Sequence, residues 1–375
     1  MTKKQKHILI ITSWYPYAND RFYGFFVQQF ARYISEYHKV SLININNRAD
    51  KETKGLQIIE QDKFEEFIYN LPANKNKLLN NFNYLRVLNR TYKAAKNKHG
   101  KPDIVHLQIP TKTLFYAYYL KTFRRIPFII TEHWSKYLDT NAKFSFLQRK
   151  LSKKASAFVA VSHDLAKSLE KIGFYKNIKI IANPIDENLF SPSDNSSTRF
   201  RFVHVSCFDE KIKNIKGIIE ACNILEKEGI DFEMLLVGTG VDFEEVRSFA
   251  EQFNLKNIQF IGEKSNKDFA KILSQSDALV MNSRKETFGI PVVEAWMCGI
   301  PVISTPVGIA QIEHPSNAIV LTEIDNVNSL ADAMKKLIQK QPKSSSEIRE
   351  YAINNFGKNS VIKQYNKIYD SILER

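Results

Sequence analysis

The chain has 375 residues, enough for two domains of roughly 150–200 residues and too many for a peptide or a lone binding module. With 43% hydrophobic and 25% charged residues, it is neither a disordered chain nor a membrane channel. The net charge of +14 is one-sided: residues 1–190 hold 32 Lys and Arg against 15 Asp and Glu, net +17, while residues 191–375 are net −3. Such a field points to an anionic partner: nucleic acid, phospholipid or a phosphorylated substrate.

The chain opens on basic residues, but the apolar run Ile8, Leu9, Ile10 and Ile11 is too short for a secretory h-region and reads as a buried strand. Strands are expected at 7–12, 39–44, 103–107, 128–131, 157–161 and 179–181, with helices at 25–37, 78–98, 115–124, 144–154 and 163–172. Residues 191–198 lack apolar periodicity and read as a linker, with the sequon Asn195-Ser196-Ser197 as part of its composition. Beyond it, strands are expected at 201–205, 233–237, 258–261, 278–281, 302–304 and 318–321, and helices at 216–228, 242–253, 266–274, 291–297, 327–338 and 344–356. This alternation predicts an α/β protein of two Rossmann-like, doubly wound domains facing an interdomain cleft, with ligands at the carboxyl ends of the strands. The expected division is 1–190, 199–357 and a terminal helix at 358–375 with Val361, Ile362, Tyr365, Ile368, Tyr369 and Ile372 on its apolar face. Three cysteines, Cys207, Cys222 and Cys298, have no C-x-x-C spacing, so neither a disulfide framework nor a thiolate metal site is expected, and the expected compartment is the cytoplasm. No run reaches about 18 apolar residues, the length that spans a bilayer.

The segment from Met281 to Gly299 carries the most chemistry. A strand ends near Ser283, a loop carries Glu286 and Gly289, and Pro291 stands where a helix starts. Ile290 before it has no side-chain acceptor, so the first-turn N–H groups are left for a ligand such as a phosphate. Glu286 and Glu294 can face that ligand; equally, Glu294 can serve the helix dipole and Glu286 can be a solvated loop carboxylate.

Glu286 and Glu294, with Thr-Phe-Gly-Ile-Pro-Val-Val between them, resemble the E-x7-E motif of the family 4 retaining glycosyltransferases, the glycosyl transferases group 1, which have the GT-B fold. Other stretches resemble the family in order along the chain. They are Ser13-Trp14-Tyr15-Pro16 with the glycine turn at Gly24, Thr131-Glu132-His133, Val161-Ser162, Asn183-Pro184-Ile185-Asp186 with Phe190, and Leu236-Val237-Gly238-Thr239-Gly240. The resemblance implies an acceptor domain first, a nucleotide-sugar donor domain second, and a terminal helix that crosses back to the first. It also implies sugar transfer with retention and no required metal or other cofactor. Glu286, His133 and Lys213 are then the catalytic candidates. Gly24, Ser206, Lys213, Gly238, Arg284, Thr287, Phe288, Gly289, Ile290 and Glu294 are the donor-binding ones.

The sequence departs from the family at the phosphate clamp. Cys207 stands near the position of the usual Arg, and Lys213 is the best match for the usual Lys, with Lys211 and Lys216 as competitors. Losing a guanidinium weakens diphosphate binding unless another cation replaces it, and Arg284 is a candidate substitute. His133, at the carboxyl end of a parallel strand, is placed to hydrogen-bond a sugar hydroxyl or the acceptor; the alternative is a loop histidine satisfied by local backbone. No H-E-x-x-H spacing or G-x-S-x-G elbow occurs, so neither a catalytic metal nor a serine nucleophile is indicated.

The basic first half fits an acceptor that is anionic or carried at a membrane: residues 144–154 set Arg149, Lys150, Lys153 and Lys154 beside an apolar stripe, and residues 93–101 add a second basic cluster. The expected partners are a nucleotide-sugar, a saccharide or lipid-linked acceptor and the inner, anionic face of a membrane, with no nucleic acid. A catalytically silent nucleotide-sugar-binding scaffold of the same fold is the main competing reading, and a nonhydrolytic epimerase of the same architecture is a third.

Overall fold

The computed structural model describes residues 5–18, 20–50, 52–73, 76–139, 145–193, 199–342 and 344–374. The chain forms two compact units, Met1–Asn183 with Ile362–Arg375, and Pro184–Val361.

In the first unit the elements run β1 (His7–Thr12), α1 (Phe25–Ser35), β2 (Lys39–Asn46), β3 (Gly55–Glu60), β4 (Glu65–Asn70), α2 (Lys77–His99), β5 (Ile104–Gln108), α3 (Thr113–Arg124) and β6 (Phe128–Glu132). A 3-10 turn at Ser135–Leu138 leads to α4 (Phe146–Ser152), β7 (Ala157–Ala160), α5 (His163–Ile172) and β8 (Lys179–Ile180). The sheet order is β3-β4-β2-β1-β5-β6-β7-β8, parallel except where β3 meets β4. Every residue of β1 is buried, as in β5 and β6, because strands covered on both faces need a continuous apolar run. The hairpin β3–β4 was not expected from sequence. Much of β3 is solvent-exposed, and the two acidic residues that open β4 hide its strand character; Glu66 is buried by bonds from the Tyr15 hydroxyl (2.5 Å) and the Gln28 amide (2.8 Å). The expected helix at 144–154 is shorter at both ends, and Phe144 lies outside the described residues.

The second unit runs β9 (Arg201–Val205), α6 (Glu210–Lys213), α7 (Ile215–Lys227), β10 (Glu233–Val237), α8 (Phe243–Glu251), β11 (Ile258–Gly262), α9 (Asn266–Ser274), β12 (Ala278–Met281), α10 (Ile290–Met297) and β13 (Val302–Ser304). A 3-10 turn at Gly308–Gln311 precedes β14 (Ile319–Leu321), α11 (Val327–Lys340) and α12 (Ser346–Phe356), and the last helix, α13 (Lys358–Leu373), leaves this unit after Val361. Its sheet is parallel throughout, in the order β11-β10-β9-β12-β13-β14, so the strand order reverses between β9 and β12. Loops from those two strands therefore open the crevice where doubly wound sheets hold ligands.

The division falls earlier than the expected boundary at 190. Ile185 donates to the Phe356 carbonyl (3.0 Å) and accepts from the Lys358 N–H (2.8 Å), and the Arg349 guanidinium caps the carbonyls of Glu187 and Phe190 at 2.9 Å each. These bonds draw residues 184–190 into the second unit. The expected linker at 191–198 lies largely outside the described residues. α13 belongs to the first unit from Ile362 onward; Tyr365 and Tyr369 are buried there, and the Tyr369 hydroxyl lies 2.8 Å from His106 Nδ1. Among the described residues, no helix is long and apolar enough to cross a membrane.

Candidate active site

The second unit builds its site from the loops that follow β9, β10 and β12. After β9 the chain turns through Ser206, Cys207 and Phe208 against the glycine turn that follows β10. Gly238 has φ 119°, and a Cβ there would lie 2.0 Å from the Ser206 carbonyl oxygen. Glycine at 238 is thus a steric requirement of two backbones in contact. Ser206 Oγ lies 2.9 Å from His204 Nε2, and His204 Nδ1 lies 2.8 Å from the Val280 carbonyl. Burial lowers the His204 pKa to about 4, so this histidine is a neutral strut that fixes Ser206.

α6, absent from the sequence expectation, ends at Lys213, whose Nζ is 2.5 Å from Glu286 Oε1. The Ser283 hydroxyl donates to the same oxygen at 3.0 Å. Burial disfavours the Lys213 ammonium, but the Glu286 carboxylate beside it outweighs this and raises its pKa above the usual lysine value. The rival lysines go elsewhere: Lys216 pairs with Glu245 at 2.5 Å, and Lys211 is solvent-exposed.

Arg284 has protein partners that its sequence position did not announce. Its Nε bonds Asp325 (2.6 Å), one terminal nitrogen bonds the Glu210 carbonyl (2.7 Å) and the other bonds Asn214 Oδ1 (2.8 Å). These bonds use three of its five N–H groups and tie the Glu286 loop to α6 and the start of α7. Cys207 is exposed in the neighbouring loop.

The loop into α10 has the expected open helix start. Gly289 caps it at φ 94° with no side-chain bond, and proline sits in the first turn. Among the described residues, the N–H groups of Gly289 and Ile290 have no acceptor. Thr287 is half-buried beside them. Phe288 packs its side chain into the core against Phe356, and its carbonyl accepts from the Ile309 N–H (2.7 Å). Glu294, one turn into α10, is 8% exposed and makes no side-chain bond to a described residue. Burial raises its pKa to about 8, so it carries a proton at neutral pH.

In the first unit, Gly24 opens α1 at φ 71°, where a Cβ would lie 2.5 Å from the Trp14 carbonyl group. His133 follows β6, with Nε2 2.7 Å from Gln108 Oε1 and its ring 4.6 Å from that of Phe26 in α1. Burial lowers its pKa to about 3, so His133 is a neutral hydrogen-bonding group. Glu132 accepts from the N–H groups of His133 and Trp134 (2.9 and 3.0 Å), and burial raises its pKa to about 8. Gly24 and His133 thus sit in one cluster, and Lys213, Glu286 and Ser283 in another. Among the described residues, no group of three or more His, Cys, Asp and Glu side chains gathers as a metal site.

Two family models together match residues 24–355: Glycosyltransferase Family 4 over residues 24–189 and Glycosyl transferases group 1 over residues 186–355. The chain is a family 4 glycosyltransferase. It is 26% identical over 290 residues to N-acetyl-alpha-D-glucosaminyl L-malate synthase of Bacillus anthracis, covering 72% of this chain and 75% of that one. Its fold is that of sucrose-phosphate synthase from Thermosynechococcus elongatus (TM-score 0.78, 18% identity, 99% and 100% of the two chains). It is also that of Anabaena HepE in complex with UDP-glucose (TM-score 0.72, 19% identity, 98% and 100%). These are GT-B folds, and the two parallel sheets of this glycosyltransferase are their two Rossmann-like domains.

Sequence reasoning missed His204, Gln108, Asn214 and Ser283 in these clusters. His204, Gln108 and Asn214 each have a partner far off in sequence, at Val280, His133 and Arg284, and Ser283 gave no sign of its bond to Glu286. A polar residue inside an otherwise apolar strand, as His204 is in β9, was the one available signal.

Proposed function

We propose that this glycosyltransferase moves a sugar from a nucleotide-sugar donor to a saccharide or lipid-linked saccharide acceptor, with retention at the anomeric carbon, in cell-surface polysaccharide or lipopolysaccharide assembly. The observation that carries the reading is the 2.5 Å contact between Lys213 and Glu286 beside a helix start with free N–H groups. Lys213 and the N–H groups of Gly289 and Ile290 meet the charge that develops on the departing diphosphate. Glu286 holds the sugar hydroxyls, and Glu294 accepts from the ribose hydroxyls. The sugar becomes oxocarbenium-like, and the leaving phosphate takes the proton of the attacking hydroxyl on the same face. His133, neutral and held by Gln108, bonds a sugar or acceptor hydroxyl in the first unit.

A second reading, a silent nucleotide-sugar-binding scaffold, is favoured by one observation: Cys207 stands near the position of the family's clamp arginine, and Arg284 already bonds Asp325, Glu210 and Asn214. Thermal-shift titration with UDP-, GDP-, ADP- and dTDP-sugars tests the donor assignment. One nucleotide is expected to raise the melting temperature by several degrees, with the shift lost in Lys213→Ala; no response to any of the four would remove the reading.

A membrane-borne acceptor fits the outer helices of the first unit, where α3 packs between α2 and α4. Leu78 (81%), Phe82 (65%), Phe123 (70%) and Phe146 (72%) are exposed, beside the exposed cations Arg86, Arg90, Lys93, Arg124 and Lys150. Apolar side chains rimmed by cations suit an anionic lipid surface. Cosedimentation with phosphatidylglycerol vesicles is expected to be salt-sensitive and reduced several-fold in Phe82→Asp/Phe146→Asp; binding unaffected by both salt and substitution counts against this surface.

A further inference from the structure

A cavity of about 240 Å³ opens in the first unit, lined by residues of the loops after β1, β2 and β5, among them Trp14, Tyr17, Tyr23, Asn44, Asn46 and Arg48. β2 and β5 flank β1 on opposite sides, so the cavity lies over the point where the strand order of this sheet reverses, the usual ligand position of doubly wound folds. Its size is below that of drug-sized ligand sites and suits a single sugar ring.

The lining has two chemistries. One wall is aromatic: the Trp14 and Tyr23 rings are 5.3 Å apart, and Tyr17 meets Tyr23 edge-on at 6.0 Å. The other is polar: the Ser13 and Thr111 hydroxyls are 2.7 Å apart, and β2 brings the amides of Asn44 and Asn46, held by donation to the Thr12 carbonyl (3.1 Å) and to Asn70 Oδ1 (3.0 Å). The turn that carries Tyr23 is fixed by Asp20, which accepts from the N–H groups of Phe22 (3.0 Å) and Tyr23 (2.9 Å). Aromatic faces pack on the C–H side of a pyranose, while amides and hydroxyls answer its O–H groups.

Arg48 sets the charge of this site. Its guanidinium lies 4.0 Å from the Tyr23 ring centre and 5.3 Å from that of Tyr17. Its side-chain hydrogen-bond partners among the described residues are two hydroxyls, that of Tyr17, at a long 3.4 Å, and that of Tyr23. No carboxylate among the described residues pairs with it. A guanidinium stacked on two aromatic rings, exposed and without a counter-ion, presents its fork to an incoming oxyanion.

We propose that this cavity is an acceptor subsite for a pyranose unit bearing an oxyanion, with Arg48 holding the carboxylate or phosphate and Trp14 and Tyr23 packing on the ring. The proposal rests on the reading of the protein as a sugar transferase and adds the chemical class of its acceptor. The positive field of the first half then draws in the same ligand that Arg48 holds.

Titration of the full-length protein with D-glucose, D-glucuronate and D-glucose 6-phosphate, followed by tryptophan fluorescence, tests it. At least one of the anionic sugars is expected to bind ten-fold or more tightly than glucose, and the better of the two identifies carboxylate or phosphate as the group read. Arg48→Ala is expected to reduce that sugar to the level of glucose, and Arg48→Lys to recover part of the difference, since an ammonium keeps the charge and loses the fork. Equal affinity for all three sugars, or an anion preference that survives Arg48→Ala, would overturn the proposal. Nucleotide-induced thermal shifts, measured on the same samples, report the donor side separately: their absence alongside an intact anion preference removes the transferase reading and leaves the Arg48 site standing.

Discussion

Lys213→Met and Glu286→Gln, made singly, are each expected to lower the turnover of sugar transfer by about 10²- to 10³-fold. Each is also expected to destabilise the protein, by about 1–3 kcal/mol, since it strands the partner of a half-buried ion pair. The side chains of both are 15% exposed, so water screens part of that cost. The double variant separates the two roles. With neither charge present the stability cost falls away, and the melting temperature is expected to return close to that of the wild type. Turnover is expected to stay low, because the double variant removes both the cation proposed to meet the leaving diphosphate and the carboxylate proposed to hold the sugar. Thermal melts and initial rates on the four proteins read this directly. Recovery of both stability and turnover in the double variant would make the pair a structural tie.

Glu294→Gln is expected to be more stable than the wild type at pH 8 and to bind nucleotide at least ten-fold more weakly. The folded protein holds the Glu294 proton up to about pH 8, against an ordinary carboxyl value of 4.5. A pKa raised on folding contributes stability that is fully present below the unfolded value and is lost as pH rises through the folded one. Wild-type stability is therefore expected to fall between about pH 5 and 8, with a slope of at most about 1.4 kcal/mol per pH unit. The glutamine variant lacks that slope, so the gap between the two melting curves widens with pH. Nucleotide binding runs in the opposite sense. If ribose hydroxyls donate to the ionised carboxylate, as proposed, binding is expected to release a proton and wild-type affinity to rise toward pH 8. Calorimetry in buffers of different ionisation enthalpy detects that proton; binding without proton release, together with unchanged affinity in Glu294→Gln, counts against the ribose contact.

Much of this architecture is legible in the sequence because the parallel strands are buried on both faces. Residues 201–205, 233–237, 278–281 and 302–304 form strands at the expected limits, since a short apolar run between polar turns has no other packed solution. The hairpin of β3 and β4 escaped that logic: one strand faces water, and the other carries a glutamate whose burial depends on Tyr15 and Gln28. Gly24, Gly238 and Gly289 were legible as close approaches or turns, and all three have positive φ. The meeting of Lys213 with Glu286 was prepared by motif order, but the choice of Lys213 over Lys211 and Lys216 depends on α6. That single helical turn directs one lysine inward, and its sequence carries too little periodicity to be read. The partners of Arg284 were hidden for the opposite reason. Its place before the glutamate loop suggested a phosphate ligand, and the groups it bonds, on Asp325, Glu210 and Asn214, are remote in sequence.

Retaining transfer from a nucleotide-sugar bound to the second unit, as proposed, fixes the anomeric configuration of the first product. Proton NMR of the reaction as it runs reads it, with the α-linked donor that gives the largest thermal shift and an acceptor bearing the oxyanion that Arg48 selects. The first-formed glycoside is expected to have an α anomeric proton, and its formation is expected to stop in Lys213→Met. A β-linked first product, or a donor that binds and is never consumed with any such acceptor, would contradict retaining transfer.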